Sequence, residues 1–187
     1  MNSGLLDTNT NLFRMILRKS ILLLLLVLPL AAFSHNSDTT KYKWYIVPDE
    51  QIQIKLPSFF EKGEGFKGFI HKESGTSIVF HSYPDYSYKL YHSGYIKQSD
   101  YLNTSNTTLA GIDTVKYGRN SGYLYRFNFA PEEVQIGYKR KLFITGNINK
   151  TLLVMINYPE TLDDEISGYF EKALKSIKPY KDNKTIK

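Results

Sequence analysis

The chain has 187 residues, 24 Lys+Arg against 18 Asp+Glu, a formal net charge of +6 and no cysteine. Disulfides, a cysteine nucleophile, thiolate metal centres and iron–sulfur clusters are excluded, so a folded domain must be held by its core alone. The 15 tyrosines supply rings that are apolar on the face and polar at the tip.

Arg14, Arg18 and Lys19 precede an apolar run from Ile21 to Phe33, broken only by Pro29. Ala32 and Ser34 then stand at the spacing that signal peptidase favours, which predicts cleavage after Ser34. The run is shorter than the roughly 20 residues a spanning helix needs, so no stable membrane span is expected after cleavage. Met15 is an alternative start. The expected organisation is a signal peptide over 1–34 and a single domain over 35–187, exported to the periplasm or beyond. Export argues against nucleic acid as a partner.

Tyr42–Val47 and Ile52–Leu56 read as strands around a turn at Pro48–Glu50, with Ile52, Ile54 and Leu56 on one face. Phe66–His71 and Ser77–Ser82 form a hairpin. A three-residue turn at Ser74–Thr76 would put Phe66, Ile70, Ile78 and Phe80 in the core. Tyr91, Tyr95, Gln98 and Leu102 sit at helical spacing within Tyr83–Asn103, interrupted by Gly94. Asn103–Thr108 reads as a polar connector.

Strands follow at Thr114–Tyr117 and Tyr123–Phe129, with Tyr123, Tyr125, Phe127 and Phe129 on one face. A further hairpin joins Gly137–Thr145 to Thr151–Tyr158. Its second strand is apolar on both sides, Leu152, Val154 and Ile156 against Leu153 and Met155, as in a strand covered on both faces. Leu162, Ile166, Phe170, Ala173, Leu174 and Ile177 make one helical stripe, with Thr161 as N-cap, acids in the first turn and Pro179 as the stop.

Few residues point to chemistry. His71 and His81 share a face if the hairpin turn has three residues, close enough to hold a metal with Glu73 or Asp85; a two-residue turn separates them. Gly118–Gly122 carries Ser121 at the wrong spacing for a nucleophile elbow. The pairs Asp49–Glu50 and Glu132–Glu133 lie beside prolines in turns. Lys139, Arg140 and Lys141 alternate on a strand and so divide between two faces. The densest feature is aromatic: His81, Tyr83, Asp85, Tyr88 and Tyr91 form a strip whose rings need wet or bonded hydroxyls, and it is the expected ligand surface.

IQIKLPSFFE (Ile52–Glu61) resembles the strand, Leu-Pro, aromatic opening of PsbP-like domains. LFITGNINKTLLVMINYP (Leu142–Pro159) and FEKALKSIKP (Phe170–Pro179) resemble their final hairpin and C-terminal helix. A Ran-GTPase release factor and bacterial secreted proteins share that fold. The resemblance implies an α+β domain, an antiparallel sheet flanked by helices, in a family of accessory, assembly and binding proteins without a common active site. The resulting expectation is an exported, non-enzymatic accessory or binding domain with no cofactor and a protein or glycan partner in the cell envelope. The alternatives are an exported hydrolase or carbohydrate-active enzyme, and a histidine metal-binding module.

Overall fold

The computed structural model describes residues 41–97, 106–130 and 136–180. All lie in one compact unit, Thr40–Lys187, which contains its own hydrophobic core. The leader and its cleavage site, Gln98, Leu102 and the pair Glu132–Glu133 lie outside the described residues.

Strand β1 (Tyr42–Val47) turns through a 3-10 segment at Pro48–Glu50 into β2 (Ile52–Pro57). The turn is tight because Gln51 takes a left-handed φ of 52° and returns its N–H to the Pro48 carbonyl. β1 pairs antiparallel with β2, and a short β10 (Lys178–Pro179) pairs along the other edge of β2. Ile52, Ile54 and Leu56 are buried, as their alternation requires.

The larger sheet has seven strands. They are β3 (Glu61–Lys62), β4 (Gly68–His71), β5 (Thr76–Pro84), β6 (Thr107–Tyr117), β7 (Asn120–Phe129), β8 (Tyr138–Gly146) and β9 (Lys150–Pro159), in spatial order β3-β4-β5-β9-β8-β7-β6. Every neighbouring pair is antiparallel. β6 and β7 meet through a two-residue turn in which Gly118 has φ 62° and lies against the Lys175 carbonyl, so a side chain there would be both strained and crowded.

β9 is central, and its sides face different neighbours. Leu152, Val154 and Ile156 join one core with β1, β2 and helix α2 (Asp163–Ser176). Leu153 and Met155 pack on the other side, under helix α1 (Tyr88–Lys97). The molecule is therefore layered: the small sheet and α2, then the large sheet, then α1. α2 buries Ile166, Tyr169, Phe170, Ala173 and Leu174, a contribution on the order of 10 kcal/mol before entropy.

The structure corrects five local expectations. The β4–β5 loop has four residues, Lys72–Gly75, because His71 pairs with Thr76. Phe69, Ile78 and Phe80 are consequently the buried set, and Phe66 instead folds over Gly63. Thr161 is no cap: it sits inside a 3-10 turn, Glu160–Leu162, and α2 starts without a side-chain cap bond. Thr107 and Thr108 belong to β6, which is longer than expected. Tyr83 and Pro84 end β5, so the tyrosine-rich helix begins only at Tyr88.

Candidate functional site: an aromatic face

β5 ends at Pro84, and Asp85 turns the chain with a left-handed φ of 58°. The Asp85 and Tyr88 N–H groups then donate to the carbonyls of Asn149 and Asn147 in the β8–β9 loop. This sets α1 across the sheet on the side of Tyr123, Tyr125, Phe127, Leu142 and Ile144. α1 contains no fully buried residue. It is held by rings.

His92 stacks on Tyr123 with centroids 3.3 Å apart and shares a 2.7 Å hydrogen bond with the buried Tyr125 hydroxyl. Tyr95 meets Tyr125 edge-on at 5.1 Å. Tyr91 stacks between Tyr83, at 5.0 Å, and Tyr95, at 6.0 Å. Tyr86 stands perpendicular to Tyr91, and His81 sits edge-on to Tyr83 at 4.5 Å.

Tyr83, Tyr86, Tyr91, Gly94 and Tyr95 line a shallow cleft of about 290 Å³. Nothing lies within 4 Å of the position a Gly94 side chain would occupy, so the helix leaves that part of the cleft open. Burial, followed by the hydrogen bond with Tyr83, raises the Tyr91 hydroxyl above the ordinary tyrosine range. Burial also lowers His92, which keeps its ring neutral near pH 7.

Of the residues expected to form a ligand surface, His81, Tyr83 and Tyr91 come together here. Tyr88 turns toward Tyr123, 6.1 Å away, and Asp85 stays exposed at the turn outside the cleft. The cleft adds Tyr86, Gly94 and Tyr95. Two aliphatic side chains went unforeseen: Leu90 on α1 is 63% exposed, and Ile148 in the loop that anchors α1 is 80% exposed.

The histidine metal pair fails on register. Residues that pair across β4 and β5 share a face, so His71 goes with Thr76, Ile78 and Phe80, while His81 pairs with Leu153 on the α1 side. His71 is occupied on its own face: its ring lies 4.4 Å from Phe59, and Nδ1 bonds the Ser74 hydroxyl at 2.7 Å.

A polar cluster beneath α2 contains a Ser–Lys pair, Ser167 and Lys141, and has to be weighed as chemistry. Asp163 anchors it. Lys139 and the Tyr158 hydroxyl each donate to its carboxylate at 2.6 Å, and the Lys141 ammonium is 3.4 Å away. Burial alone would raise the Asp163 carboxyl. The bonds from Lys139 and Tyr158, the Lys141 charge and the Ser167 hydroxyl outweigh it and hold the group well below the usual carboxylate range. Lys141 thus spends its charge on Asp163, and Ser167 donates to the main-chain carbonyl one helical turn back. The cluster clasps the start of α2 to β8 and β9. Arg140 points to the opposite face, where it donates to Asn157, so the basic triplet divides as its alternation requires.

No protein-family model and no curated protein sequence matches the chain. Solved structures do. A crystal structure from Bacteroides thetaiotaomicron superposes with a TM-score of 0.54 at 19% identity over 76% of this chain, which spans 50% of that longer protein. The Ran-binding protein Mog1p of Saccharomyces cerevisiae gives 0.50 at 9% identity, over 75% of this chain and 96% of Mog1p. The fold is PsbP-like. LpqN of Mycobacterium tuberculosis, described as involved in cell envelope biogenesis, gives 0.51 at 9% identity over 76% of this chain and 92% of LpqN. At these identities the likeness establishes the PsbP-like architecture, and the site must be argued from its own residues. Among the described residues no helix is long and apolar enough to cross a membrane.

Proposed function

We propose that this is an exported, non-enzymatic accessory domain that binds a protein partner in the cell envelope through the aromatic face of α1. The observation that carries the reading is the cleft of Tyr83, Tyr86, Tyr91 and Tyr95, with Leu90 exposed on the same helix and Ile148 exposed in the loop that anchors it. Tyrosine faces accept either a sugar ring or an apolar side chain. Leu90 and Ile148 decide between these, because an aliphatic surface gains from an apolar partner and offers nothing to a hydroxyl-rich one. A non-catalytic role is supported by what lines the cleft: Tyr83, Tyr86, Tyr91, Gly94 and Tyr95 bring ring faces and hydroxyls and, among the described residues, no carboxylate, imidazole or amine. Export is supported by the basic patch, apolar run and small-residue site ahead of His35, and cleavage after Ser34 makes His35 the first residue found on N-terminal sequencing.

The test is affinity capture from envelope extract with the domain and its Tyr83→Ala/Tyr86→Ala variant, read by quantitative mass spectrometry. A partner enriched by the parent and lost at least tenfold by the variant, with an unchanged melting temperature, supports the reading. Capture that is indifferent to the substitution overturns the assignment of the face. Binding to a glycan array that the same substitution abolishes replaces the protein partner with a sugar.

A further inference from the structure

The outer face of the small sheet carries a second exposed apolar group, on the opposite side of the molecule from α1. Alternation along β1 turns Tyr45 and Val47 inward onto Ile54 and Ile52, and turns Trp44 and Ile46 outward opposite Lys55 and Gln53. Trp44 is 46% exposed and Ile46 47%. Cations border Trp44, and Ile46 lines a groove with Asp49, Lys62 and Lys67. The Lys178 ammonium lies 4.1 Å from the Trp44 ring centroid, Lys55 is the cross-strand partner of Trp44, and Lys172 reaches over Tyr42. The residues that pair onto this face, Trp44, Ile46, Gln53, Lys55 and Lys178, include no carboxylate.

We propose that this face is a membrane-contact surface for anionic phospholipid. Trp44 and Ile46 seat at the boundary between headgroups and acyl chains, where an indole is favoured because it is apolar with one polar N–H. Lys55, Lys172 and Lys178 meet the headgroup phosphates, their flexible stems lying along the apolar residues while the ammonium groups stay in the polar layer. Charge complementarity selects the occupant. Two exposed apolar side chains fall far short of the roughly 800 Å² per partner that a stable protein interface buries, and lysines act as point charges suited to a diffuse anionic surface. α1 lies beyond the large sheet, so a domain docked this way keeps its tyrosine cleft turned away from the bilayer.

Trp44 is the sole tryptophan of the chain, so its fluorescence reports on this face alone. The chain begun at His35 retains the whole compact unit and serves as the probe protein. Titration with phosphatidylglycerol vesicles is expected to shift Trp44 emission to the blue and to pellet the protein, and phosphatidylcholine vesicles to do neither. Lys55→Glu/Lys178→Glu, both at exposed positions, is expected to lower pelleting at least tenfold, as is high salt. Trp44→Ala is expected to lower it similarly, with unchanged far-ultraviolet circular dichroism. Absence of a blue shift with phosphatidylglycerol overturns the proposal. So does pelleting that the lysine variant leaves intact, or a preference for an oligonucleotide over the vesicles.

Discussion

Among the described residues, one face of the seven-stranded sheet is covered by α2 with the small sheet and the other by α1, and the two helices are held by different chemistry. α2 buries Ile166, Phe170, Ala173 and Leu174 against Leu152, Val154 and Ile156, and the Asp163 clasp ties down its first turn. α1 buries nothing completely and rests on ring stacks, each of them partly open to solvent. Aliphatic side chains fill space without needing partners, so they suit a permanent core. Tyrosines keep a hydroxyl that must be bonded or wet, so a face built from them can be covered or bared at lower cost. The α2 face is closed around its core, and the α1 face keeps its rings partly open.

The largest effect should come from the α2 side. Phe170→Ala is expected to cost about 3–5 kcal/mol in urea unfolding, and Tyr91→Ala less than half as much, since Tyr91 already has one side open. Equal costs would erase the distinction between the faces.

The clasp gives the next largest effect. Asp163→Ala leaves Lys139 and the buried Tyr158 hydroxyl without this acceptor and Lys141 without its counter-charge, and about 1–3 kcal/mol should be lost. The pH dependence follows from the lowered Asp163 pKa. The unfolded carboxyl titrates near about 3.9. The clasp is therefore at full strength above that pH and weakens as the pH falls below it, toward the lower folded value. Asp163→Asn should flatten that acid limb; a variant with the parent's slope would remove Asp163 from the account.

The sequence already carried this contrast in part. The α2 stripe and the two-sided β9 were legible because burial repeats with the local period, 3.6 or 2, whatever the rest of the chain does. The β4–β5 register was not. A three-residue turn at Ser74–Thr76 was expected and a four-residue loop, Lys72–Gly75, is found, and that single residue decides whether His71 and His81 share a face. Tyr83 and Tyr91 stood out by composition. Their cleft depended on a left-handed Asp85 and on carbonyls from the distant β8–β9 loop, which no local pattern encodes. Exposed Leu90 and Ile148 were hidden by the ordinary expectation that such residues go inside.

A smaller effect should appear on the α1 side. Burial lowers the His92 pKa, so the unfolded chain takes up a proton at higher pH than the fold does. Stability should therefore fall as pH drops below about 6.5. His92→Gln should flatten this limb without touching the one due to Asp163. An unaltered profile would mean that the stack on Tyr123 does not hold α1.

Native-state hydrogen exchange reads both helices in one experiment and tests the contrast most directly. Amides of Tyr88–Lys97 are expected to exchange at least tenfold faster than those in the buried turns of Asp163–Ser176. Equal protection of the two helices would contradict it, and would make the tyrosine face a second core.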